Sequence, residues 1–366
     1  MAESTRLVDL VQANIDSYLT GREPLLASIA PELAPFVDFS RELLAGGKRF
    51  RALFCYWGWQ AVASDSDGSA AESLDSVVLA ATALEVFHAA ALVHDDIMDN
   101  SDTRRGMPSV HRKFAQLHRD SNWLGSDVDF GHSSALLLGD LLLGWSDELF
   151  AEGVSGLDDL SARIAARAEF NLMRTEVTVG QFLDILEENA WAQHPENSQL
   201  SRANRVVVYK SAKYSVEAPL AIGASLGSAS LAQVAALREF GLPLGVAFQL
   251  RDDMLGVFGD PELTGKPSGD DLREGKRTVL IAVAREKLPS SARRLLDELL
   301  GDPELTDNQV DLLQNTIEAS GAIAELERMI EQNTRVAVEA IADAPLSRSA
   351  KDQLVQLAET VVRRTA

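Results

Sequence analysis

The chain has 366 residues, a single cysteine, and 55 acidic against 34 basic side chains, for a formal net charge of -21 at pH 7. That balance excludes general affinity for nucleic acid or for an anionic membrane, and the lone Cys55 excludes an intramolecular disulfide and fits a reducing, cytoplasmic setting. With no Pro-, Gly- or Ser-rich linker, no fixed-period repeat and no signal-peptide layout, residues 1–366 are expected to form one large domain.

Apolar residues recur at helical spacing over residues 7–18 and 32–44, the second run stopped by Gly46 and Gly47. Lys48-Arg49-Phe50-Arg51 then opens an apolar run over residues 52–62. Three cations at a helix start oppose its dipole, yet with the unpaired backbone N–H groups they make an anion socket; a solvated basic turn is the plain alternative. Residues 76–99 read as a long alanine-rich helix, and residues 106–131 as a loop or lid, with Asp102, His111, His118 and Asp120 as loop polarity. Helical periodicity returns over residues 134–150, 160–188, 202–226 and 231–255, and residues 290–366 read as amphipathic helices that close a bundle. The uncharged residues 218–237 suit a buried helix better than a membrane span. Almost nothing alternates with period two, so the fold class is all-α.

One stretch, LVHDDIMDNSDTRRG at residues 92–106, needs a physical explanation. Asp95 and Asp99 lie one turn apart on one helix face, where like charges repel by about 0.2–0.5 kcal/mol. They also sit at the C-terminal end of that helix, where the dipole disfavours each anion by about 0.3–1 kcal/mol. A divalent cation reverses both penalties. Mg2+ takes carboxylate oxygens and completes its shell with water and substrate phosphates, and arginines such as Arg104 and Arg105 grip phosphate. Residues 248–260, FQLRDDMLGVFGD, repeat the oddity with Asp252 and Asp253. If the two helices run side by side, their acids face each other across a cavity and share metals. Beyond lie Gly265-Lys266-Pro267, Asp270-Asp271 and Gly275-Lys276-Arg277-Thr278, which supply cations for phosphate and glycines for close approach. His94 invites a transition-metal reading, but no second histidine completes the usual spacing.

Taken in order, GGKRFR, DDIMD, TRRG, LLLGD, VGQFLD, YKSAKYS, FQLRDDMLGVFGD and GKPSGDDLREGKRT make the chain resemble the trans-isoprenyl diphosphate synthases over about residues 43–278. This is the polyprenyl synthetase family, which includes farnesyl and geranylgeranyl diphosphate synthases. The resemblance implies a single all-α bundle around a central cavity, a homodimer, and prenyl-transfer chemistry in which Mg2+, three ions shared with the allylic diphosphate, turns that diphosphate into a leaving group. The allylic cation then joins isopentenyl diphosphate and a proton is lost. By the same resemblance Asp95 and Asp99, supported by Asp96, hold metal, and Asp252, with Asp253 through hydrogen bonds, serves the opposite wall. Arg104, Lys210 and Lys266 match the grip on the allylic diphosphate, and Ser211 and Lys276 are further expected substrate-binding residues. Lys48, Arg51, His88 and Arg105 match the isopentenyl diphosphate site. Gln181, Asp184 and Gln249 match supporting positions, and the loops bearing Lys266 and Lys276 are expected to close. The chain departs from the family at Gly256, where many members have a third aspartate, which raises the question of whether Asp260 substitutes.

Several of these residues have a plainer reading: Lys210 and Lys213 as a solvated helix face, His88 as a hydrogen-bonded core histidine, Gln181 and Asp184 as an intrahelical pair. Product length is expected to follow the depth of an apolar tunnel below Asp95. Ala90 and Ala91, about one turn before it, are too small to form a floor, and Phe87 is the first bulky candidate. A product longer than farnesyl, namely geranylgeranyl diphosphate, is expected; the alternatives are a medium- or long-chain synthase and a non-catalytic partner subunit. A terpene cyclase has no use for a second diphosphate site, which GGKRFR disfavours.

Overall fold

The computed structural model describes residues 2–62, 69–261, 267–302 and 304–362, and the regular elements among them are helices apart from one hairpin of two short strands. In chain order come α1 (Ala2–Ile29), α2 (Ala34–Leu43), α3 (Phe50–Gln60), α4 (Ser69–Met98), strands β1 (Thr103–Arg104) and β2 (Met107–Pro108), α5 (Val110–Asp120), α6 (Asp127–Ser155) and α7 (Leu160–Ala190). Next are α8 (Gln199–Val206), a π-helical stretch Val207–Glu217, α9 (Ala218–Leu226), α10 (Leu231–Phe258) and a short α11 (Asp270–Glu274). Then follow α12 (Val279–Lys287), α13 (Ser290–Leu299), α14 (Asp307–Ser320), α15 (Ala322–Ala342) and α16 (Arg348–Val362). The chain folds as two compact units, Met1–Arg167 with Pro219–Ala229, and Ala168–Ala218 with Ser230–Ala366.

In the first unit α1 buries Leu7, Val11, Ile15 and Leu19, each one turn apart, as an amphipathic helix must. The alanines of α4 make it a thin cylinder, and Ala80, Ala81, Ala83 and Ala90 are all fully buried, with α6 as the principal neighbour. Ser146 Oγ of α6 donates to the Ala83 carbonyl at 2.8 Å. α9 meets α3 at two glycines: a Cβ on Gly223 would lie 1.8 Å from the Cys55 carbonyl oxygen, and one on Gly58 would lie 2.4 Å from that of Leu220. Residues 74–98 and 231–258 form helices long and apolar enough to cross a bilayer, but the first is largely buried inside its unit.

Two expectations are corrected. Residues 106–131 are not a loop or lid: they contain α5 and the start of α6. α5 buries Val110, His111, Phe114, Ala115 and His118, a one-turn spacing masked in the sequence because two of the five are histidines. Phe114 packs edge-on against Phe39 at 4.9 Å, while His111 Nδ1 meets Ser109 Oγ at 3.1 Å and His118 Nε2 meets the Leu124 carbonyl at 3.2 Å. Both imidazoles are therefore core groups. Residues 202–226 are likewise not one regular helix, because the π-helical stretch separates α8 from α9.

In the second unit α10, α12, α14 and α15 enclose Leu250, Leu280, Ile281, Leu313, Ile317, Leu326 and Ile330. Two glycines let neighbouring helices close on the π-helical stretch. A Cβ on Gly180 of α7 would lie 2.5 Å from the Lys210 backbone nitrogen, and one on Gly245 of α10 would lie 2.5 Å from the Ala212 carbonyl oxygen. π-Helical turns inside helices are often found at functional sites, and this 11-residue stretch carries Lys210 and Ser211.

Candidate active site

The first acidic cluster caps α4. Asp99 N donates to the Asp95 carbonyl at 2.8 Å and Ser101 N to that of Asp96 at 3.0 Å, so the chain leaves the helix while its last carbonyls stay satisfied. Asp96 is 1 % exposed, and its charge is met by Arg104, whose Nε donates to Asp96 Oδ1 at 2.9 Å and whose Nη2 reaches the same oxygen. Arg104 Nη2 also lies 3.6 Å from Asp95 Oδ2. Asp95 and Asp99 are half-buried.

Arg104 is aimed by the hairpin. Its two central residues, Arg105 (φ 54°) and Gly106 (φ 73°), both adopt the left-handed backbone that a two-residue hairpin turn requires. The turn sends Arg105 back over the end of α2, where Nη1 donates to the Leu43 and Ala45 carbonyls at 3.3 and 3.5 Å. Its guanidinium also lies beside Gly47, 3.5 Å from where a Cβ would stand. Within KRFR the structure separates the roles. Arg49 is buried in a left-handed backbone conformation, 3.4 Å from Glu85 and 2.7 Å from Gln12 Oε1, and it also donates to the Leu44 carbonyl. It is a lock for the turn. Lys48 is exposed and Arg51 is half-buried.

His88 stands among these cations. Burial, reinforced by Arg51, Arg105, Arg104 and Arg49 in that order, pushes its pKa well below the usual 6.5, so the ring is neutral at pH 7. The same crowding and burial lower the pKa of Arg105. The first unit thus gathers Arg51, Arg104 and Arg105 around the neutral His88, a concentration of positive charge suited to a polyphosphate in a chain of net charge -21. Lower on α4, Phe87 and Ala90 are buried and Ala91 is half-buried.

The second cluster lies in the last two turns of α10. Asp252 is exposed and Asp253 is 4 % exposed. Gln249 Nε2 donates to Asp253 Oδ1 at 2.7 Å, while the buried Oδ2 has no hydrogen-bond partner among the described residues. Burial pushes the Asp253 carboxyl up to about 8, with Asp271, Asp252 and Asp184 adding to the rise and the Gln249 hydrogen bond opposing it.

Gly256 explains the presence of Asp271. A Cβ on Gly256 would lie 2.0 Å from Asp271 Oδ2, so the carboxylate of Asp271, carried by α11, fills the space a side chain at 256 would need. The third acid of this cluster arrives from a different part of the chain. Asp260, just past the end of α10, is exposed. The lysines of the π-helical stretch are not a solvated face: Lys210 Nζ pairs with Asp184 and Lys213 Nζ with Glu176, both at 2.5 Å and both on α7. Asp184 is thereby tied to Lys210, and Gln181, one turn before it on α7, is half-buried. Lys276 Nζ lies 2.8 Å from Glu274, and Lys266 lies outside the described residues.

Among the described residues no three His, Cys, Asp or Glu side chains form a ready cage for a metal ion. Mg2+ keeps waters and binds through one or two carboxylates plus substrate phosphate. The donors are hard oxygens, and the orphaned Oδ2 of Asp253 in an acidic surrounding is a group that a cation would satisfy. One stability consequence follows from Asp253. Its folded-state pKa lies above that of an unfolded aspartate, so its contribution to stability is complete below about pH 4 and is lost as pH rises through about 8. Asp253→Asn is expected to raise the melting temperature of the metal-free protein at pH 8 by about 2–4 °C, and by less at pH 5. Calorimetric scans at the two pH values check this.

The model of the polyprenyl synthetase family, "Polyprenyl synthetase", matches residues 35–318. A short chain isoprenyl diphosphate synthase of Methanocaldococcus jannaschii is 31% identical over 306 residues, covering 80% of this chain and 83% of that one. A geranylgeranyl diphosphate synthase of Mycobacterium tuberculosis is 30% identical over 345 residues, covering 94% and 87%. Among solved structures, a geranylgeranyl pyrophosphate synthase of Corynebacterium glutamicum, in complex with isoprenyl diphosphate and magnesium, superposes with a TM-score of 0.91 at 36% identity, covering 98% of this chain and 99% of that one. Acids crowded at the end of a helix that also carries His88 in its cluster of arginines therefore have a family in which to be understood: the chain belongs to the polyprenyl synthetases and is a trans-prenyl diphosphate synthase, a prenyltransferase.

Proposed function

We propose that the protein condenses isopentenyl diphosphate with allylic diphosphates and releases geranylgeranyl diphosphate. The observation that carries the two-substrate reading is that the first unit holds both an arginine cluster around His88 and an acidic cluster, Asp95 and Asp99, at the end of the same helix. Mg2+, as three ions bound with the allylic diphosphate, supplies Lewis-acid neutralisation of the departing diphosphate. Asp95 and Asp99, and in the second unit Asp252, are the residues that would hold it. Arg104, fixed by Asp96, together with Lys210, Ser211 and Lys266, binds and orients the allylic diphosphate. Lys48, Arg51, Arg105 and the neutral His88 bind isopentenyl diphosphate. Asp184 and Gln181 position Lys210, Gln249 positions Asp253, and Lys276 helps exclude water that would quench the allylic cation. The allylic C–O bond breaks, a C–C bond forms to the isopentenyl double bond, and one proton is lost.

Chain length is supported by the buried, small Ala90 on α4 and by the bulk of Phe87 about 12 Å along the helix from Asp95. It is also supported by relatives that carry the geranylgeranyl name. Purified protein with isopentenyl diphosphate, Mg2+ and each of dimethylallyl, geranyl and farnesyl diphosphate should give a twenty-carbon product by mass spectrometry. A dominant product of another length overturns the length, and no product with any primer overturns the function. Phe87→Ala should shift the products to longer chains; an unchanged length removes Phe87 as the floor.

A homodimer is the proposed assembly. In the second unit α7 exposes Leu172, Val179 and Phe182, at 44%, 50% and 61%, within an arc of about 80°. A second copy of the chain is the occupant proposed for this apolar stripe. Val179→Asp combined with Phe182→Asp should elute as a monomer with light scattering, whereas a persistent dimer would assign the stripe another role.

A further inference from the structure

The acids at the end of α4 need a fixed aim, and neither the dipole nor their mutual repulsion supplies one. Asp96 is held from one side by Arg104. From another side the neighbouring His94 is held by α6. His94 Nε2 lies 3.2 Å from the Leu136 carbonyl oxygen and 3.5 Å from Asp140 Oδ1. Both oxygens accept, so Nε2 carries the hydrogen. The ring fits only because residue 139 is glycine: a Cβ there would lie 2.1, 2.5 and 2.8 Å from Nε2, Cδ2 and Cε1 of His94. Gly139 and His94 are thus two halves of one fit within the first unit.

We propose that His94 is a positioning residue that fixes the rotation of the last turn of α4 through its seat on Gly139, and so sets the aim of the Asp95 and Asp99 carboxylates toward metal-bound diphosphate. His94 and Asp95 are adjacent and project about 100° apart, so the seat of the first dictates the direction of the second. A rotation of about 10° moves a group about 6 Å from the helix axis by about 1 Å, a misplacement on the scale that costs about a hundredfold in rate. The tight contact also accounts for His94 without a metal role: its Nε2 is committed to α6.

This inference rests on the reading of Asp95 and Asp99 as metal-holding residues, and four variants test it: His94→Ala, Gly139→Ala, the double variant, and His94→Gln, whose amide nitrogen can replace Nε2. The readouts are the Mg2+ concentration for half-maximal prenyl transfer, kcat at saturating Mg2+, and the rise in melting temperature caused by Mg2+ with inorganic pyrophosphate. His94→Ala and Gly139→Ala should each raise the half-saturating Mg2+ concentration about tenfold and shrink the pyrophosphate-dependent rise. His94→Gln should stay within about twofold of the parent. The double variant should be no worse than His94→Ala alone, because the clash needs the ring. Parental Mg2+ dependence and melting shift in His94→Ala, or additive losses in the double variant, would overturn the proposal; should His94→Ala fail to fold, Gly139→Ala against His94→Gln decides. The melting readout holds even for a protein that makes no product, so failure of the proposed reaction is seen separately.

Discussion

Asp95→Asn is expected to lower kcat/KM by about 10²–10³-fold while leaving the fold intact. The carboxylate is half-buried at the C-terminal end of α4, next to Asp99, in a field that disfavours anions, so its removal relieves repulsion in the metal-free protein. Arg104 stays in place because its hydrogen bonds run to Asp96, not Asp95. The lost quantity is therefore metal-assisted stabilisation of the leaving diphosphate. Initial rates against Mg2+ concentration, paired with a melting curve, check this: the rate collapses and the melting temperature does not fall. Asp96→Asn should do the reverse, weakening the fold by taking the charged partner of the half-buried Arg104 guanidinium away, at a cost of about 1–3 kcal/mol. A parental Mg2+ response in Asp95→Asn would contradict its assigned role.

Gly256→Asp is expected to inactivate, although it restores the aspartate many relatives carry. The new Cβ would stand 2.0 Å from Asp271 Oδ2 and 2.4 Å from its carboxyl carbon, and the new charge would join those of Asp252 and Asp184. The expected loss is at least about 10²-fold in kcat/KM with a higher Mg2+ requirement. Asp271→Asn should fall by a similar factor, because it removes the carboxylate that fills the gap. Combining Gly256→Asp with Asp271→Gly vacates the space and supplies the acid from α10, so part of the activity should return. Full activity in Gly256→Asp alone, or no recovery in the swap, would show that the two positions do not exchange one carboxylate.

The all-α fold and the two acidic clusters were legible because both write themselves locally: α4 in a run of alanines, the acids in pairs within one turn. α5 was hidden because His111 and His118 count as polar in a pattern while their rings serve as core. The π-helical stretch was hidden because the glycines that close on Tyr209 to Ala212, Gly180 and Gly245, lie on other helices and outside any local pattern. Asp271 was visible only as part of Asp270-Asp271. Its pairing with Gly256 is a contact between α10 and α11, and nothing in either segment alone announces it. Arg49 could not be told from Lys48 and Arg51 by type; its burial against Glu85 separates them.

Calorimetric titration of pyrophosphate into the protein, with and without Mg2+, addresses most directly whether acids at unfavourable helix ends are there to receive metal-bound diphosphate. Weak binding without Mg2+ and a gain of at least about a hundredfold with it, abolished by Asp95→Asn, is the predicted result. Equal affinity with and without the ion would contradict it.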